Sequence, residues 1–498
     1  MEPSETEPEA MTAVRFTLDA ADFAAAAQDD LLDKPVTPPR GRNISADWFD
    51  TAGYTLTRNG LALSLSKTRR GFLQSLTQRS AVWETLVPQA APDIAACPPE
   101  LHAGLPDLLQ GAELQAIFTT SIKRVTRHAG GVELHFESGF IQAGVEKQKL
   151  LELELRGPDT ELYPLALALA ETYALRLQPA SLAARGAWMA GAPRPSAVKA
   201  GGGLTGAPCL DDSVALLTQS CLAQFLANWP AFALGDEVGA VHQMRVAMRR
   251  LRSVLGLFNR AFFAPEFAIF RDEAKRIANL MGEARNWDVF AKLLQDGPAA
   301  AFPYEPGFTA MLAQCAAHRE TGYAAVRSLL ADPATTKFLL GVEAFLARHG
   351  WRNGLAVEAL AGLAEPAKTY AAQNLARLHR KVRKRGKHLL HIGAHERHLV
   401  RIELKKLRYA ADLFGGLFSG RGKMRTYAET AAHLQEELGL LNDLTTAQEL
   451  LARLEARTTD QARAIGIVLG WCAKAGNADD RKLAKRWKAF GESKPVTE

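Results

Sequence analysis

The hydrophobic pattern of this chain changes its period at one segment, AGAPRPSAVKAGGGLTGAPC, which occupies residues 190–209. Before it, apolar and polar residues alternate in short stretches such as LALSLSKT and KLLELELRG, a period of two that predicts antiparallel strands. After it, Leu, Ala, Arg and Glu recur at helical spacing, with Pro and Gly as punctuation. The segment itself has no period and predicts a flexible linker. We therefore predict an α+β chain, with a sheet domain at residues 1–189 and an all-α domain at residues 210–491.

Length and composition limit the classes of protein to which this chain can belong. Its 498 residues exceed one ordinary core and predict about two to four domains. The 47% hydrophobic and 23% charged content is typical of globular protein, and no apolar run approaches the roughly 18 residues of a membrane span. The opening MEPSETEPEAMTAV is unlike a secretory signal peptide, and five scattered cysteines fit a reducing compartment. These features predict a cytoplasmic protein with neither disulfides nor a membrane span.

The net charge of +6 is unevenly distributed along the chain. From Gly201 onward there are 41 Lys and Arg against 30 Asp and Glu, whereas the preceding part has 19 against 24. A positive excess confined to the second part predicts an anionic partner for the all-α domain.

Two segments of the all-α part, HQMRVAMRRLR and HLVRIELKKLR, share one pattern of basic residues and begin 156 residues apart. On a helix with about 100° between successive residues, the shared positions fall on one face. Arg250 and Lys406 lie toward the flank of that face. The first basic stripe consists of His242, Arg245, Arg249 and Arg252, and the second basic stripe of His398, Arg401, Lys405 and Arg408.

Each basic stripe is followed by a glycine-centred segment, LMGEARNWD in the first case and ELGLLND in the second. The two glycines, Gly282 and Gly439, lie 40 and 41 residues after the histidine of their own stripe. Such matched landmarks predict an internal duplication, with one helical bundle at about 210–350 and a related one at about 366–491.

The basic stripes repel themselves, because like charges three or four residues apart on a helix cost roughly a few tenths of a kcal/mol per pair. A polyanion would relieve this repulsion, since Arg binds phosphate oxygens by bidentate hydrogen bonds and Lys binds them as a point charge. A third basic segment, RLHRKVRKRGKH, precedes the second stripe and extends the positive surface. We therefore predict a polyanion site formed by both stripes, by Arg250 and Lys406, and by Arg380, Lys381, Arg383, Lys384 and Lys387.

Three other interpretations of these segments remain open. A solvated basic face explains one stripe as well as a site does, but explains two matching stripes less well. The histidines of HLLHIGAHERH could bind a metal, yet Gly393 interrupts the helix and no carboxylate pattern completes a familiar site. Nucleic acid ranks below a simple polyphosphate, because neither stripe has an aromatic stacking platform and no zinc-finger or RNP signature occurs.

The motifs RVAMRRLRSVLGLF, GEARNWDVF, RIELKKLRYAADLF and LQEELGLLNDLTTA closely resemble the CHAD family, the conserved histidine α-helical domain. The resemblance covers roughly residues 210–491. It implies two pseudo-symmetric four-helix bundles that bind inorganic polyphosphate on a basic surface, and an association with polyphosphate granules. The two basic stripes are the ligands that this resemblance implies.

The first domain is similar to the CYTH family of triphosphate tunnel barrels, through WFDTAGYTLTRNGLALSLSKT, FTTSIKR, LELELRG and PASLAARG. The resemblance implies an antiparallel β-barrel. The family's first-strand ExExK motif is replaced by VRFTLDA, its paired arginines correspond to Ser64 and Ser66, and the next lysine to Thr77. The family residues that remain are Glu152, Glu154, Lys123 and Arg124. We predict a barrel that has lost catalysis and holds neither a metal nor a cofactor.

These inferences predict a non-enzymatic protein that binds inorganic polyphosphate in the cytoplasm, on polyphosphate granules and beside other granule proteins. A divergent metal-dependent inorganic triphosphatase in the barrel is the first alternative. A general nucleic-acid-binding protein is the second, and no membrane partner is predicted.

Overall fold

The computed structural model divides the chain into two compact units. Unit 1 comprises the described residues up to Pro195 together with Ala331–Arg348, and unit 2 comprises Ser196–Leu330 together with the described residues from His349 onward. Among the described residues, we find no helix with the length and apolar character that a membrane crossing needs. The structure describes residues 11–34, 40–78, 81–98, 104–262, 264–419, 421–476 and 480–495.

Unit 1 contains a nine-stranded sheet in which every pair of neighbouring strands is antiparallel. The strand order is β5-β4-β3-β2-β6-β7-β8-β1-β9. Strands β1 to β9 span Met11–Thr17, Arg42–Asp50, Leu61–Thr68, Gly71–Gln78, Ala81–Val87, Gln115–Ala129, Val132–Ala143, Glu146–Pro158 and Arg176–Leu177. The predicted antiparallel sheet is confirmed. The implied closure into a barrel is not found among the described strand pairs, because β5 and β9 remain at the two edges.

The described helices of unit 1 pack on both faces of this sheet. With numbering in chain order, they are α1 Ala20–Ala26, α2 Thr55–Arg58, α3 Leu105–Leu109, α4 Asp159–Thr172, α5 Leu182–Met189 and α10 Pro333–Ala347. The alternation of β1, β7 and β8 turns Phe16, Phe136 and Leu153 toward an apolar core with α4. Residues of the opposite parity, many of them charged, therefore share the other face of the sheet.

The segment WFDTAGYTLTRNG folds around one buried carboxylate. Asp50 accepts hydrogen bonds at Oδ1 from the backbone N–H groups of Thr51 at 2.7 Å and Leu56 at 2.8 Å. Its Oδ2 accepts from the backbone N–H of Thr57 at 2.9 Å. Asp50 therefore caps the turn into α2, and this part of the family-like motif has a structural role.

Helix α10 belongs to unit 1, although the sequence division placed it in the all-α domain. Leu340 is part of the apolar core with α4. Leu177 donates its backbone N–H to Thr336 Oγ1 at 2.9 Å, and Lys337 Nζ lies 3.0 Å from a Glu171 carboxylate oxygen. The helical period of α10 predicts an apolar stripe but does not specify the surface on which that stripe packs.

The predicted flexible linker is held in place from Ser196 onward. The backbone N–H of Val198 donates to Asn228 Oδ1 at 2.9 Å, and Asn228 Nδ2 donates back to the Val198 carbonyl at 2.9 Å. Further along, the backbone N–H of Leu204 donates to the Leu413 carbonyl at 2.7 Å. The absence of a hydrophobic period in this segment therefore reflects irregular backbone packed on unit 2, which differs from the flexibility that its composition predicted.

Unit 2 is helical, and the same succession of helix contacts occurs twice. Helix α7 packs between α6 and α8, and α13 packs between α12 and α14. A shared apolar cluster joins α8 and α14 to α9 and α15. These helices are α6 Leu210–Ala233, α7 Glu237–Phe258, α8 Pro265–Leu294, α9 Gly307–Ala331, α11 Val357–Leu363, α12 Ala367–Arg385, α13 Ala394–Phe414, α14 Arg421–Leu451, α15 Thr459–Gly476 and α16 Asp480–Glu492.

Candidate functional site

The two basic stripes lie on corresponding helices, α7 and α13. Asp236 caps α7 by accepting the backbone N–H of Gly239 at 3.1 Å. Met244, Met248 and Leu251 bury one face of α7 completely, so the basic positions three and four residues apart face away from the core of the bundle.

Residues from both basic stripes line a single cavity of about 160 Å³, which we call the basic cleft. The polar and charged residues that line it are His242, Arg245 and Arg249 from α7, Arg285 and Asn286 from α8, and Arg401 and Lys405 from α13. The rest of its described lining is apolar apart from Thr446, and includes Val289, Phe290 and Leu450. Five cationic side chains and a histidine from three helices thus converge on one space.

The described lining of the basic cleft contains no carboxylate. No acidic group lies within ion-pairing distance of Arg249 or Arg285 in the part of the chain that the structure describes, which excludes the side chains of residues 440–443. The cations that converge on this cleft repel one another, and a bound anion would remove that repulsion.

Burial and the neighbouring cations both lower the pKa values of His242 and Arg245 in the cleft. Burial, followed by repulsion from Arg249, lowers the pKa of Arg245 to about 10. Burial, followed by the charges of Arg285, Arg245 and Arg249, lowers the pKa of His242. His242 is therefore held toward its neutral form while the cleft is empty of anions, and the arginines remain charged.

The two landmark glycines occupy equivalent positions against the stripes. A Cβ atom added to Gly282 would lie 3.3 Å from Arg245 Nε, and one added to Gly439 would lie 3.7 Å from a terminal nitrogen of Arg401. Arg245 Nε also donates to the carbonyl of Ala278, one turn before Gly282, at 3.3 Å. Each landmark glycine therefore faces the first arginine of its stripe from the next helix, and of the two only Gly282 makes a contact tighter than an ordinary one.

Ten of the fifteen predicted ligands lie outside the described lining of the basic cleft, among them Arg250, Arg252 and Arg408. Arg250 is only 7% exposed and donates through Nη1 to Gln224 Oε1 on α6 at 2.9 Å, so its assignment to the polyanion surface is corrected. Burial, followed by repulsion from Arg271 and Arg249, lowers the pKa of Arg252. Arg408 Nε is 4.0 Å from an Asp412 carboxylate oxygen.

The third basic segment forms the second half of α12 and the turn after it. Lys381 and Lys406 both lie 3.0 Å from Glu403, which partly neutralises them. His398 is exposed near the start of α13 and is not in the described lining of the cleft. The remaining members of this segment, Arg380, Arg383, Lys384 and Lys387, are exposed.

Arg285 is a cleft residue that the sequence reasoning missed. It lies in GEARNWD, a segment that marks the duplication and contributes none of the predicted ligands. The same segment supplies Asp288, which accepts hydrogen bonds from Arg319 Nε at 2.8 Å and the Tyr323 hydroxyl at 2.7 Å. Arg285 follows Gly282 by three residues on α8, so helical spacing could have placed it beside Arg245.

Comparisons with known proteins match part of this chain to a domain family, to curated sequences and to solved structures. The model of the CHAD domain family matches residues 217–452. An uncharacterised protein of Mycobacterium tuberculosis is 29% identical over 205 residues, which cover 38% of this chain and 37% of that protein. The chain therefore spans little more than a third of the length of this curated relative.

Two solved structures are also similar. The crystal structure of the CHAD domain from the plant Ricinus communis is 26% identical, with a TM-score of 0.50, and the match covers 61% of this chain and 97% of that one. PptA from Streptomyces chartreusis is 16% identical, with a TM-score of 0.40, over 56% of this chain and 100% of that one.

Proposed function

We propose that this protein binds inorganic polyphosphate along the basic cleft, within the residues 217–452 that match the CHAD domain family, without catalysing a reaction on it. One observation carries the proposal: the two basic stripes, which are separated in sequence, meet with Arg285 in a single cleft whose described lining has no carboxylate. A linear polyphosphate offers a dense row of anionic oxygens with no bases or sugars, which suits a narrow site made of cations.

The chemistry of the lining favours phosphate over a carboxylate-bearing partner. Three guanidinium groups from α7 and α8 can each present two N–H donors to neighbouring phosphate oxygens, and Lys405 adds a point charge. His242 can donate a further hydrogen bond once a phosphate raises its pKa. Exposed cations of α12, such as Arg380 and Lys384, would bind the part of the polyphosphate that extends beyond the cleft.

The direct test removes four charges from the cleft. The variant Arg245→Gln, Arg249→Gln, Arg401→Gln, Lys405→Gln should lose retention on immobilised polyphosphate, because binding that neutralises phosphates depends on the number of cations involved. The matched control replaces four exposed arginines of unit 2 that pair with carboxylates outside the cleft, Arg276, Arg327, Arg425 and Arg457. The control changes the net charge equally and should bind much as the unmodified protein does.

Equal loss in both variants would mean that net charge alone governs retention, and wild-type binding by the cleft variant would remove the cleft as the site. Circular dichroism of both variants checks that the helices remain folded. Retention of the unmodified protein should fall steeply with added salt.

We propose that the sheet of unit 1 is not an active triphosphatase. The family's first-strand acids and paired arginines are replaced in this sequence, as described above. Tripolyphosphate incubated with the protein and Mg²⁺ or Mn²⁺ should release no phosphate above background. Sustained turnover that disappears in the variant Glu152→Ala, Glu154→Ala would contradict this proposal and favour the enzymatic alternative.

Nucleic acid is the competing polyanion. The aromatic residue in the described lining, Phe290, is only 1% exposed and is not available as a stacking surface for bases. Polyphosphate should therefore displace DNA from the protein at equal phosphate concentration, and DNA should not displace polyphosphate. The reverse order of displacement would favour a nucleic-acid-binding protein.

In a cell, we propose that this binding places the protein on polyphosphate granules, beside other granule proteins. A fluorescent fusion should form foci in cells that contain polyphosphate and become diffuse in cells that lack it. Diffuse fluorescence in both kinds of cell would contradict the granule association. It would not bear on polyphosphate binding itself, which the retention experiment tests.

A further inference from the structure

An acidic cluster lies on the face of the unit 1 sheet opposite its apolar core. Glu137 of β7 pairs in register with Glu152 of β8, and His135 pairs with Glu154. The three carboxylates are buried, with Glu137 and Glu152 each 1% exposed. Strand alternation turns the neighbouring Leu and Phe side chains toward the core with α4, and it turns all four of these groups to the opposite face.

This cluster has the donor set of a divalent metal site. One ligand atom each from His135, Glu137 and Glu154 lies within 4.8 Å of the others. Carboxylates in the tunnel barrels that unit 1 resembles serve a divalent metal, and the contacts of these residues decide whether such an ion fits here. Imidazole and carboxylate ligands together suit ions such as Mn²⁺.

The centre of the cluster is already filled by a side chain from the first strand. Arg15 Nη1 donates to Glu137 Oε2 at 2.7 Å and to Glu152 Oε2 at 3.1 Å. Its Nη2 donates to Glu154 Oε1 at 2.8 Å. One guanidinium thus bridges all three carboxylates, from the strand on which the resembled enzymes carry acids.

The other carboxylate oxygens are occupied as well. Arg124 lies 2.7 Å from Glu137 Oε1, and Arg185 makes a bidentate pair with Glu152 at 2.7 and 2.8 Å. Arg156 Nε donates to Glu154 Oε2 at 2.9 Å, and His135 Nδ1 lies 3.3 Å from the same oxygen. Four guanidinium groups therefore occupy the oxygens of these three carboxylates, and a divalent cation does not fit among them.

The ionisation of the cluster agrees with tight internal pairing. Burial opposes the charged form of Arg15, but attraction to Glu154, Glu137 and Glu152 outweighs it and raises the pKa of Arg15. Burial likewise opposes the charged form of Glu154, but Arg15, His135 and Arg156 outweigh it and lower the pKa of Glu154. Both groups remain charged over the whole range in which a metal could compete.

We infer that Arg15 is a built-in counter-cation, which takes the place of a divalent ion among Glu137, Glu152 and Glu154 and thereby makes unit 1 independent of metal. A guanidinium that forms three hydrogen bonds compensates the buried carboxylates, whose charges would otherwise destabilise the folded state. Where VRFTLDA replaces the acidic first strand of the resembled enzymes, the protein loses carboxylate ligands for a metal. It also gains Arg15, whose guanidinium takes the position of that metal ion.

The first test is made on the unmodified full-length protein. Its thermal unfolding temperature should not change when Mn²⁺ or Mg²⁺ replaces EDTA. The double variant Glu137→Gln, Glu154→Gln is the control for metal binding elsewhere in the chain. If Mn²⁺ raises the Tm of the unmodified protein but does not raise the Tm of the double variant, the inference is overturned.

The second test removes the counter-cation. Arg15→Ala should lower Tm in EDTA, because three buried carboxylates lose their shared partner. Mn²⁺ should then raise the Tm of this variant, further with each tenfold increase in ion concentration, as expected for a ligand that binds only the folded state. Arg15→Lys, which retains a positive charge, should not respond to Mn²⁺, and neither should Arg15→Ala combined with Glu137→Gln and Glu154→Gln.

A folded Arg15→Ala protein with no response to Mn²⁺ would show that Arg15 does not hold the position of an ion. If Arg15→Ala does not fold in EDTA, the outcome is decided by Arg15→Gln, which is neutral and closer in length. Recovery of its Tm in Mn²⁺ supports the inference, and an unchanged Tm contradicts it. These readouts are independent of polyphosphate binding by unit 2.

Discussion

His242 is the cleft residue whose charge changes closest to neutral pH. It faces Arg245 and Arg249 on its own helix and Arg285 on α8, with Arg401 and Lys405 of α13 lining the same cleft. These cations and burial lower its pKa in the free protein, whereas a bound phosphate favours the protonated imidazole. The bound state therefore takes up a proton at pH values between the two pKa values.

This proton uptake predicts that polyphosphate binds more tightly as the pH falls. Between about pH 8 and about pH 5 the affinity of the unmodified protein should rise, because the bound form holds more protons in that window. His242→Asn should show a flatter profile. The measurement is Kd against pH with long chains, whose titrating end groups are few, and identical profiles for the two proteins would contradict a role of His242.

Arg285 and Arg250 are predicted to differ, although both are arginines near the first basic stripe. Arg285→Gln should weaken binding and reduce the slope of log K against log salt by about one, as expected for one lost phosphate contact. Arg250→Gln should leave that slope unchanged and lower stability, by about 1–3 kcal/mol, because it breaks a buried hydrogen bond to Gln224. Salt titrations and urea unfolding of both variants separate the two effects, and a reduced slope in Arg250→Gln would place it at the ligand.

At the scale of elements, the two helix crossings beside the stripes differ in tightness. A Cβ at position 282 would come within 3.3 Å of Arg245 Nε, whereas a Cβ at 439 would lie at an ordinary 3.7 Å from Arg401. Gly282→Ala should therefore displace the Arg245 guanidinium and weaken polyphosphate binding. Gly439→Ala should leave binding unchanged and gain up to about 1 kcal/mol from helix propensity. Binding and unfolding of the two variants provide the comparison, and equal binding losses would contradict it.

The sequence predicted the elements better than it predicted their partners. Period-two and helical spacing were enough to separate sheet from helices and to place each basic stripe on one helical face. The burial of Arg250 depends on Gln224 of α6, and spacing on α7 alone could not distinguish it from Arg249. Arg15 appeared only as a missing acid, because its three carboxylate partners lie more than a hundred residues away in sequence.

At the scale of the whole molecule, the chain forms two units that are not consecutive in sequence. It leaves unit 1 after Pro195, completes part of unit 2, and contributes Ala331–Arg348 to unit 1 before it continues unit 2 at His349. In the sequence, the helix α10 of unit 1 therefore lies between the two copies of the duplicated helices of unit 2. Boundaries chosen by secondary structure alone would divide unit 1.

This arrangement predicts how fragments of the chain behave. Residues 1–195 alone should be less stable than the same residues joined through a Gly/Ser linker to residues 331–348, because only the second fragment covers the apolar face of α4 with α10. Leu340, which is 3% exposed in that core, supplies the matched control. Leu340→Ala in the joined fragment should remove about 2–5 kcal/mol of unfolding free energy. Equal stability of the two fragments in urea would mean that α10 contributes little to unit 1. Lower stability of both the shorter fragment and the Leu340→Ala variant, compared with the joined fragment, would show that α10 completes the core of unit 1, although it is encoded between the two halves of unit 2.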